Sequence, residues 1–145
     1  MLYKFKEKRL MLFASVLSEI QCVNNNHFIV RNVRKNTQES FRAIEMTGKI
    51  SPACMEVSSP EEFGFQLLAH DQIKHFFSDY KETFPSPSLY YMDENNVFLV
   101  QHGMCTTILY NELMSHEVQY IDEFQDIYLK MCGRELIFTP TDIIW

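Results

Sequence analysis

The sequence predicts an α+β fold in which antiparallel strands are flanked by an N-terminal, a central and a C-terminal helix, in the order α-βββ-α-βββ-α-β. Strand-like runs follow one another as hairpins instead of alternating singly with helices, which is typical of antiparallel sheets. Helical spacing and capping residues occur at the start, middle and end of the chain. With 145 residues and 46% hydrophobic content, the chain can bury a sizeable core, and we expect one domain over residues 1–145.

The first helix is predicted over residues 5–21. Apolar residues there fall three or four positions apart, as on one face of a helix: Leu10, Phe13, Leu17 and Ile20. The basic residues before this apolar stretch also imitate a signal peptide. We favour the helix because Glu7 interrupts the basic run and no small-residue cleavage site follows.

Three strands and the central helix are predicted next. Residues 27–33 and 40–46 are expected to form a hairpin, and residues 53–57 a short third strand. The central helix is expected to begin at Ser59-Pro60-Glu61-Glu62 and to continue to about residue 82. This motif places a hydroxyl at the N-cap, a proline at the first helical position, and carboxylates at the positive end of the helix dipole.

The last part of the chain is predicted as a three-stranded meander followed by a helix. The strands are expected over residues 88–92, 97–101 and 106–110. The helix is expected over residues 123–131, capped by Asp122 and ended by Gly133, with a start near His116 as the alternative. Residues 136–138 are predicted as a final short strand.

Charge is divided unevenly along the chain. The first fifty residues carry a net charge of +5 and the remaining ninety-five carry −11. This split predicts docking on an anionic partner, or on the acidic part of the same or a second molecule. We do not expect a nucleic-acid partner, because strong nucleic-acid binders present a denser basic field than a chain of net charge −6.

Other composition features bear on the compartment. No run of eighteen apolar residues occurs in the sequence, so we expect no membrane span. The four cysteines lie far apart and form no C-x-x-C pair. We interpret them as reduced, buried thiols and expect a cytoplasmic location.

Two groups of residues are candidates for a metal-binding or catalytic role. Asp71, His75 and Asp79 would share one helix face, where a carboxylate and an imidazole can ligate a metal or act as an acid–base pair. His102 precedes Cys105 by three residues, which is close enough in sequence to suggest a base beside a thiol. We favour a solvated helix face for the first pattern and a strand end with a buried thiol for the second. Since glycine-rich phosphate loops and nucleophile elbows are absent from the sequence, we predict no enzyme, no catalytic residue, no metal and no cofactor.

One segment resembles a known family. Leu89-Tyr90-Tyr91-Met92, Val97-Phe98-Leu99-Val100 and the helix beginning at Asp122-Glu123-Phe124 are similar in order to the corresponding part of class I type III secretion chaperones. The resemblance covers residues 5–132 and concerns element order, size and acidity. It implies a small cytosolic homodimer without enzymatic activity that binds the N-terminal region of a secreted effector in largely extended form.

The sequence as a whole favours a non-catalytic protein-binding module that forms a homodimer and binds an extended segment of another protein. The candidate partner-binding residues are Phe28, Val30, Phe41 and Ile44, and the candidate self-association residues are Leu89, Tyr91, Val97 and Leu99. Core packing remains open at each of these positions. The alternative is a PAS-like sensory or regulatory domain that encloses a small apolar ligand, which the aromatic and methionine content would suit.

Overall fold

Two antiparallel sheets of five strands each make up most of the fold. The chain is seen in a computed structural model that describes residues 6–23, 27–42, 49–77, 88–92, 96–102, 105–110 and 114–141, without the side chains at positions 39, 41, 42, 70, 102 and 114. The first sheet contains β1 (Leu10–Phe13), β2 (Val16–Val23), β3 (His27–Asn32), β4 (Thr37–Arg42) and β5 (Ile50–Pro52), in the order β4-β3-β2-β1-β5.

The second sheet is a meander with one short additional strand. It contains β6 (Gln66–Leu67), β7 (Ser88–Met92), β8 (Val97–His102), β9 (Cys105–Tyr110) and β10 (Met114–Val118), in the order β10-β9-β8-β7-β6. Two 3₁₀ turns, Met55–Val57 and Pro60–Phe63, connect the sheets. Two α-helices follow, α1 (His70–Phe76) and α2 (Ile121–Cys132). We call residues 134–141 the C-terminal arm.

The predicted fold class is therefore wrong, and the first helix shows why. Residues 10–23 form the β1–β2 hairpin, whose two-residue turn places Ala14 and Ser15 at positive φ angles of 47° and 68°. Leu10 and Met11, on opposite faces of β1, are both buried. A strand buried on both faces is apolar throughout, so its sequence also satisfies helical spacing.

The central helix is also shorter than predicted. The Glu62 side chain does accept a hydrogen bond from the Ser59 N–H at 3.0 Å, as a capping box requires. However, the 3₁₀ turn ends at Gly64, whose φ of 89° is left-handed. The chain then enters β6, and α1 begins only at His70. Residues 78–82 of the predicted helix lie outside the described residues.

Other predicted elements agree better with the structure. The β7–β8–β9 meander and β3 lie where the β-branched and aromatic runs predicted them. β4 begins at Thr37, three residues before the predicted start, and residues 43–46 of the predicted strand lie outside the described residues. Helix α2 ends before Gly133, which has a φ of 72°. Instead of an earlier helix start, residues around His116 form β10, and the predicted strands at 53–57 and 136–138 are a 3₁₀ turn and an extended part of the arm.

The main core draws side chains from both sheets and from α2. Helix α1 covers the other face of the second sheet, where Ile73 packs with Leu89 and Phe98. The sheets also meet through the backbone, since Cys54 and Tyr120 form an isolated antiparallel bridge. Within the described residues, neither α-helix has the length and apolar character needed to cross a membrane.

Candidate functional site

The four partner-binding candidates map to the first sheet and its surroundings. Phe28 and Val30 lie on β3 and are buried in a small cluster with side chains of β1 and β2. Phe41 pairs with Phe28 across the β3–β4 ladder, but its side chain is outside the described part. Ile44 lies outside the described residues altogether. Phe28 and Val30 are therefore core side chains of the first sheet, and a binding role for them stays a prediction.

The four self-association candidates belong to the second sheet. Val97 and Leu99 are fully buried in the main core, and Leu89 is buried beneath α1. Tyr91 is half-buried, with its ring 4.6 Å from that of Phe98. Only Tyr91 of the four reaches the surface of the single chain, so self-association through this set stays a prediction.

The structure describes each of the two candidate chemical groups only in part. Asp71 and His75 are exposed on α1, and Asp79 is outside the described residues. His102 pairs with Cys105 across the end of β8 and β9. Cys105 is exposed, and nothing is described of the His102 side chain. Across the described parts of the chain, no three His, Cys, Asp or Glu side chains come together as a metal site.

Strand β4 forms an outer edge of the first sheet. It is six residues long, contains no proline, and pairs with β3 along its whole length. Among the described residues, no strand pairs with its other side. The side chains of Thr37, Gln38 and Ser40 are exposed. Charge, proline or short length usually protects an edge strand. β4 carries two charged residues, Glu39 and Arg42, but it is six residues long and contains no proline, so we treat it as a candidate binding surface.

The backbone register shows which β4 groups face outward. The Val33 N–H donates to a carbonyl of β2 at 3.3 Å, so the preceding N–H, that of Asn32, faces β4. Asn32 is paired with Thr37. Because backbone groups alternate in direction along a strand, Thr37 bonds back to β3. The outward-facing N–H groups of β4 are therefore those of Gln38, Ser40 and Arg42.

An apolar depression lies beside the start of β4. It has a volume of about 180 Å³ and is lined by Phe13, Ala14, Val16, Ser18, Val30, Asn32 and Thr37. Val16 is 43% exposed at this site. The depression lies on the face of the sheet that carries the side chain of Thr37, the first residue of β4. A segment paired with β4 could therefore place one apolar side chain in the depression.

Ion pairs within the molecule join basic residues of the first fifty positions to carboxylates of the later part. Four of the five ion pairs found among the described residues join the basic first part of the chain to the acidic remainder. They are Lys6–Asp126 at 3.4 Å, Arg9–Asp126 at 2.8 Å, Arg9–Glu135 at 2.9 Å and Arg34–Glu62 at 2.9 Å. The acidic part of the same molecule is thus one partner of the basic part. Lys35, which precedes β4 by two residues, remains exposed.

Glu62 is the most heavily bonded of these carboxylates, with 3% of its side chain exposed. It accepts two hydrogen bonds from the Arg34 guanidinium, at 2.9 and 3.3 Å, and one from the Thr141 N–H at 3.1 Å. Burial alone would raise the pKa of this carboxyl. Hydrogen bonds from Arg34, Ser59 and Thr141, together with the charge of Arg34, outweigh burial and lower the pKa.

A larger cavity lies between the Pro60–Phe63 turn, β7, α2 and the arm. Its volume is about 510 Å³, and its walls include Glu61, Phe63, Tyr128 and Ile137. Two other carboxylates on its walls, those of Glu62 and Glu135, are already bound to arginines. The cavity can hold a small molecule, but its described lining does not pair a nucleophile with a base.

The expectation of buried thiols is wrong for two cysteines, and the Cys132 thiol gives no support for cysteine catalysis. All four cysteines are free, Cys54 and Cys105 are exposed, and Cys132 is half-buried near Arg134. Burial raises the pKa of the Cys132 thiol and outweighs the opposing charge of Arg134. A raised pKa reduces the thiolate fraction at neutral pH, which is the reverse of what a nucleophilic cysteine needs.

Sequence reasoning missed the role of the arginines. It assigned Glu62 to helix capping and named no partner for Arg34. The uneven charge distribution was the available signal, because docking of the basic part on the acidic part of the same molecule was one of the alternatives that it predicted. Pairing Arg34 with Glu62, 28 residues away, requires the fold.

Comparisons with known proteins identify no relative: no protein-family model, no curated protein and no solved structure matches the chain. These comparisons leave the resemblance to secretion chaperones untested. The observed element order differs from the order on which that resemblance was based.

Proposed function

We propose that the chain is a non-catalytic protein-binding domain that holds an extended segment of another protein along the outer side of β4. The observation that supports this proposal is the six-residue edge with outward-facing amides at Gln38 and Ser40. In strand addition, main-chain hydrogen bonds supply affinity, and pockets for alternate side chains supply specificity.

The surroundings of β4 favour a segment with particular side chains. The depression that Val16 partly lines suits one apolar side chain. Lys35 is exposed in the turn before β4, so a carboxylate on the bound segment would meet a positive charge there. We therefore propose an extended segment that carries an apolar residue and an acidic residue, a charge match that favours encounter and register.

A proline at position 40 tests the strand-addition mode. Ser40→Pro removes an N–H that faces outward, so the β3–β4 ladder keeps its bonds while the edge is blocked. Peptides of twelve residues selected from a random display library against the wild-type chain serve as the probe. We expect their affinity to fall at least tenfold in Ser40→Pro and to be unchanged in Ser40→Thr, which keeps the N–H.

The depression is tested by placing a charge in it. Val16→Asp is expected to weaken binding of the same peptides, whereas Leu67→Asp places the same charge on an exposed residue of β6 in the second sheet and should leave their affinity unchanged. Circular dichroism and urea unfolding confirm that each variant folds. Equal peptide affinity in wild type and in folded Ser40→Pro would overturn binding along β4.

A small-molecule function is the second candidate, favoured by the 510 Å³ cavity. This volume lies within the range of ligand pockets, and Phe63 and Tyr128 supply apolar walls. Native mass spectrometry of the purified chain checks this function. A stoichiometric bound compound that Phe63→Ala displaces would support it, and a chain of bare mass that binds none of a metabolite panel would contradict it.

The homodimer and the cytoplasmic location also remain proposals. Light scattering at micromolar concentration checks the homodimer. A mass of 17.2 kDa would show a monomer, and about twice that mass would support self-association.

A further inference from the structure

The C-terminal arm is held at separate points along its length. Near α2, Glu135 binds Arg9, and Leu136 is buried in the main core. Farther along, the ring of Phe138 packs on Phe63 with centroids 5.1 Å apart. The described arm forms neither helix nor strand, so its position depends on these contacts.

Glu62 secures the far end of the arm. Its backbone carbonyl accepts the Thr139 N–H at 2.7 Å, and its carboxylate accepts the Thr141 N–H at 3.1 Å. The same carboxylate holds Arg34, whose guanidinium carbon also lies 5.9 Å from the centre of the Phe138 ring. The far end of the arm therefore rests on an arginine–glutamate pair.

Arg34 belongs to the turn that leads directly into β4. The side-chain oxygen of Asn32 accepts the N–H groups of both Arg34 and Lys35 at 3.1 Å. This fixes the turn, and β4 begins at Thr37. A segment bound along β4 would therefore lie within a few residues of the arginine that holds the arm.

Loss of Arg34 from this pair changes the environment of Glu62. The carboxylate, which is 3% exposed, then keeps the N–H groups of Ser59 and Thr141 as partners but has no counter-charge, so remaining buried and charged carries a large desolvation penalty. The side chain is then expected to turn toward water. That movement would break its bond to Thr141, while Phe138 would lose its contact with the guanidinium.

We propose that the Arg34–Glu62 pair is a latch that couples the β4 edge to the C-terminal arm. An acidic segment bound along β4 draws Arg34 away from Glu62, and residues 138–141 leave Phe63. Since Ile137 and Thr139 line the 510 Å³ cavity, release of the arm widens that cavity. The partner-driven half of this proposal rests on the proposed function, whereas the latch itself does not.

Amide hydrogen exchange measured by NMR tests the latch without a partner. In Arg34→Gln we expect the amides of Thr139 and Thr141 to exchange at least tenfold faster, while core amides such as that of Ile108 stay protected. Arg31→Gln is the matched control, because Arg31 lies on the same hairpin and pairs with Glu19 at 3.4 Å. Glu62→Gln should reproduce the effect of Arg34→Gln. Unchanged exchange at both threonines in folded Arg34→Gln would overturn the latch.

Peptides selected for β4 test the partner-driven half. An acidic peptide whose binding is lost in Ser40→Pro should accelerate exchange at Thr139 and Thr141, and its Asn/Gln counterpart should not. If such a peptide binds β4 without changing the two threonines, the coupling is wrong and the proposed function stands. If no peptide depends on Ser40, the proposed function and the partner-driven half both fail, and Arg34→Gln still decides the latch.

Discussion

At the scale of single residues, buried polar side chains fix the position of α2 on β1. Gln125 is 2% exposed, and its side chain accepts the Leu10 N–H at 2.8 Å and donates to the Lys8 carbonyl at 2.9 Å. Arg9, between these two backbone groups, binds Asp126 on the same helix. A helix that packed by apolar contact alone could shift along the strand, whereas these bonds define one position.

Replacing the buried glutamine tests this role. Gln125→Leu keeps the volume approximately but leaves the Leu10 N–H and the Lys8 carbonyl without their partner. We expect a loss of about 2 kcal/mol in the free energy of unfolding, because unpaired buried groups cost about 1–3 kcal/mol each. Urea unfolding measures the loss. Gln119→Leu, at an exposed position, should change stability by less than about 0.5 kcal/mol.

Glu62 predicts a dependence of stability on pH. Its pKa is lower in the folded chain than its ordinary value, so its stabilising contribution is complete above the unfolded pKa of about 4.3. The contribution disappears as the pH falls through the lower, folded pKa. The difference in unfolding free energy between wild type and Glu62→Gln should therefore be constant near neutral pH and shrink below about pH 4. The difference between wild type and Gln119→Leu, which alters no titratable group, should not vary with pH.

At the scale of elements, the β1–β2 turn determines whether the first segment is a hairpin or a helix. Phe13 pairs with Val16, which leaves a two-residue turn with both φ angles positive. Such turns match the twist of the strands and favour asparagine or glycine. Here alanine and serine occupy the two turn positions. The pairing of β1 with β2 therefore holds these residues at positive φ angles, which neither residue type prefers.

A glycine at position 15 distinguishes the two structures. In the hairpin, Ser15→Gly removes the strain of a positive φ and should stabilise the chain by about 1 kcal/mol. In a helix, the same change would destabilise by about 1 kcal/mol. Thermal or urea unfolding gives the sign. Ser51→Gly, on the exposed surface of β5, should lose about 0.5–1 kcal/mol, as glycine does in an ordinary strand.

At the scale of the whole molecule, one core holds the two sheets together. Phe124 on α2 contacts Phe63 at 5.5 Å and Phe65 at 5.9 Å between ring centres, and it is fully buried. The main core takes residues from β1 and β2 as well as from β7 to β10. Neither sheet can therefore lose its packing without exposing the core of the other.

This shared core predicts cooperative unfolding. Phe124→Ala should cost about 3–5 kcal/mol, with far-ultraviolet circular dichroism and tyrosine fluorescence reporting one coincident transition. Phe76→Ala, at a 38% exposed position on α1, should cost about 1 kcal/mol. Separate transitions for the two probes would show that the sheets unfold independently.

Sequence patterns correctly predicted strands in which apolar and polar side chains alternate. They failed where the secondary structure depends on burial of both strand faces or on contacts that are distant in sequence. β7, β8 and β9 were predicted because β-branched and aromatic residues mark them clearly. β1 was missed because Leu10-Met11-Leu12-Phe13 is apolar on both faces. β10 was missed because its sequence, MSHEV, carries little apolar alternation.

The candidate site was predicted less well than the strands. The sequence indicated binding through the first hairpin, and β4 belongs to that hairpin, but the chosen side chains Phe28 and Val30 are buried. Backbone direction at Gln38 and Ser40 depends on register, which residue types do not encode directly. The Arg9 pairs could not be assigned either, since Asp126 and Glu135 lie more than a hundred residues away.

The long sequence separation of these pairs has a consequence for synthesis. A ribosome releases the chain from its N-terminus, so Arg9 emerges long before Asp126 and Glu135. Until then the growing chain carries Lys6 and Arg9 without the carboxylates that pair with them, and β1 lacks the helix that binds its backbone. The first sheet therefore reaches its final packing only after Glu135 has been made, and a nascent chain that ends before Gln125 exposes a positive, partly apolar surface on which chaperones could act.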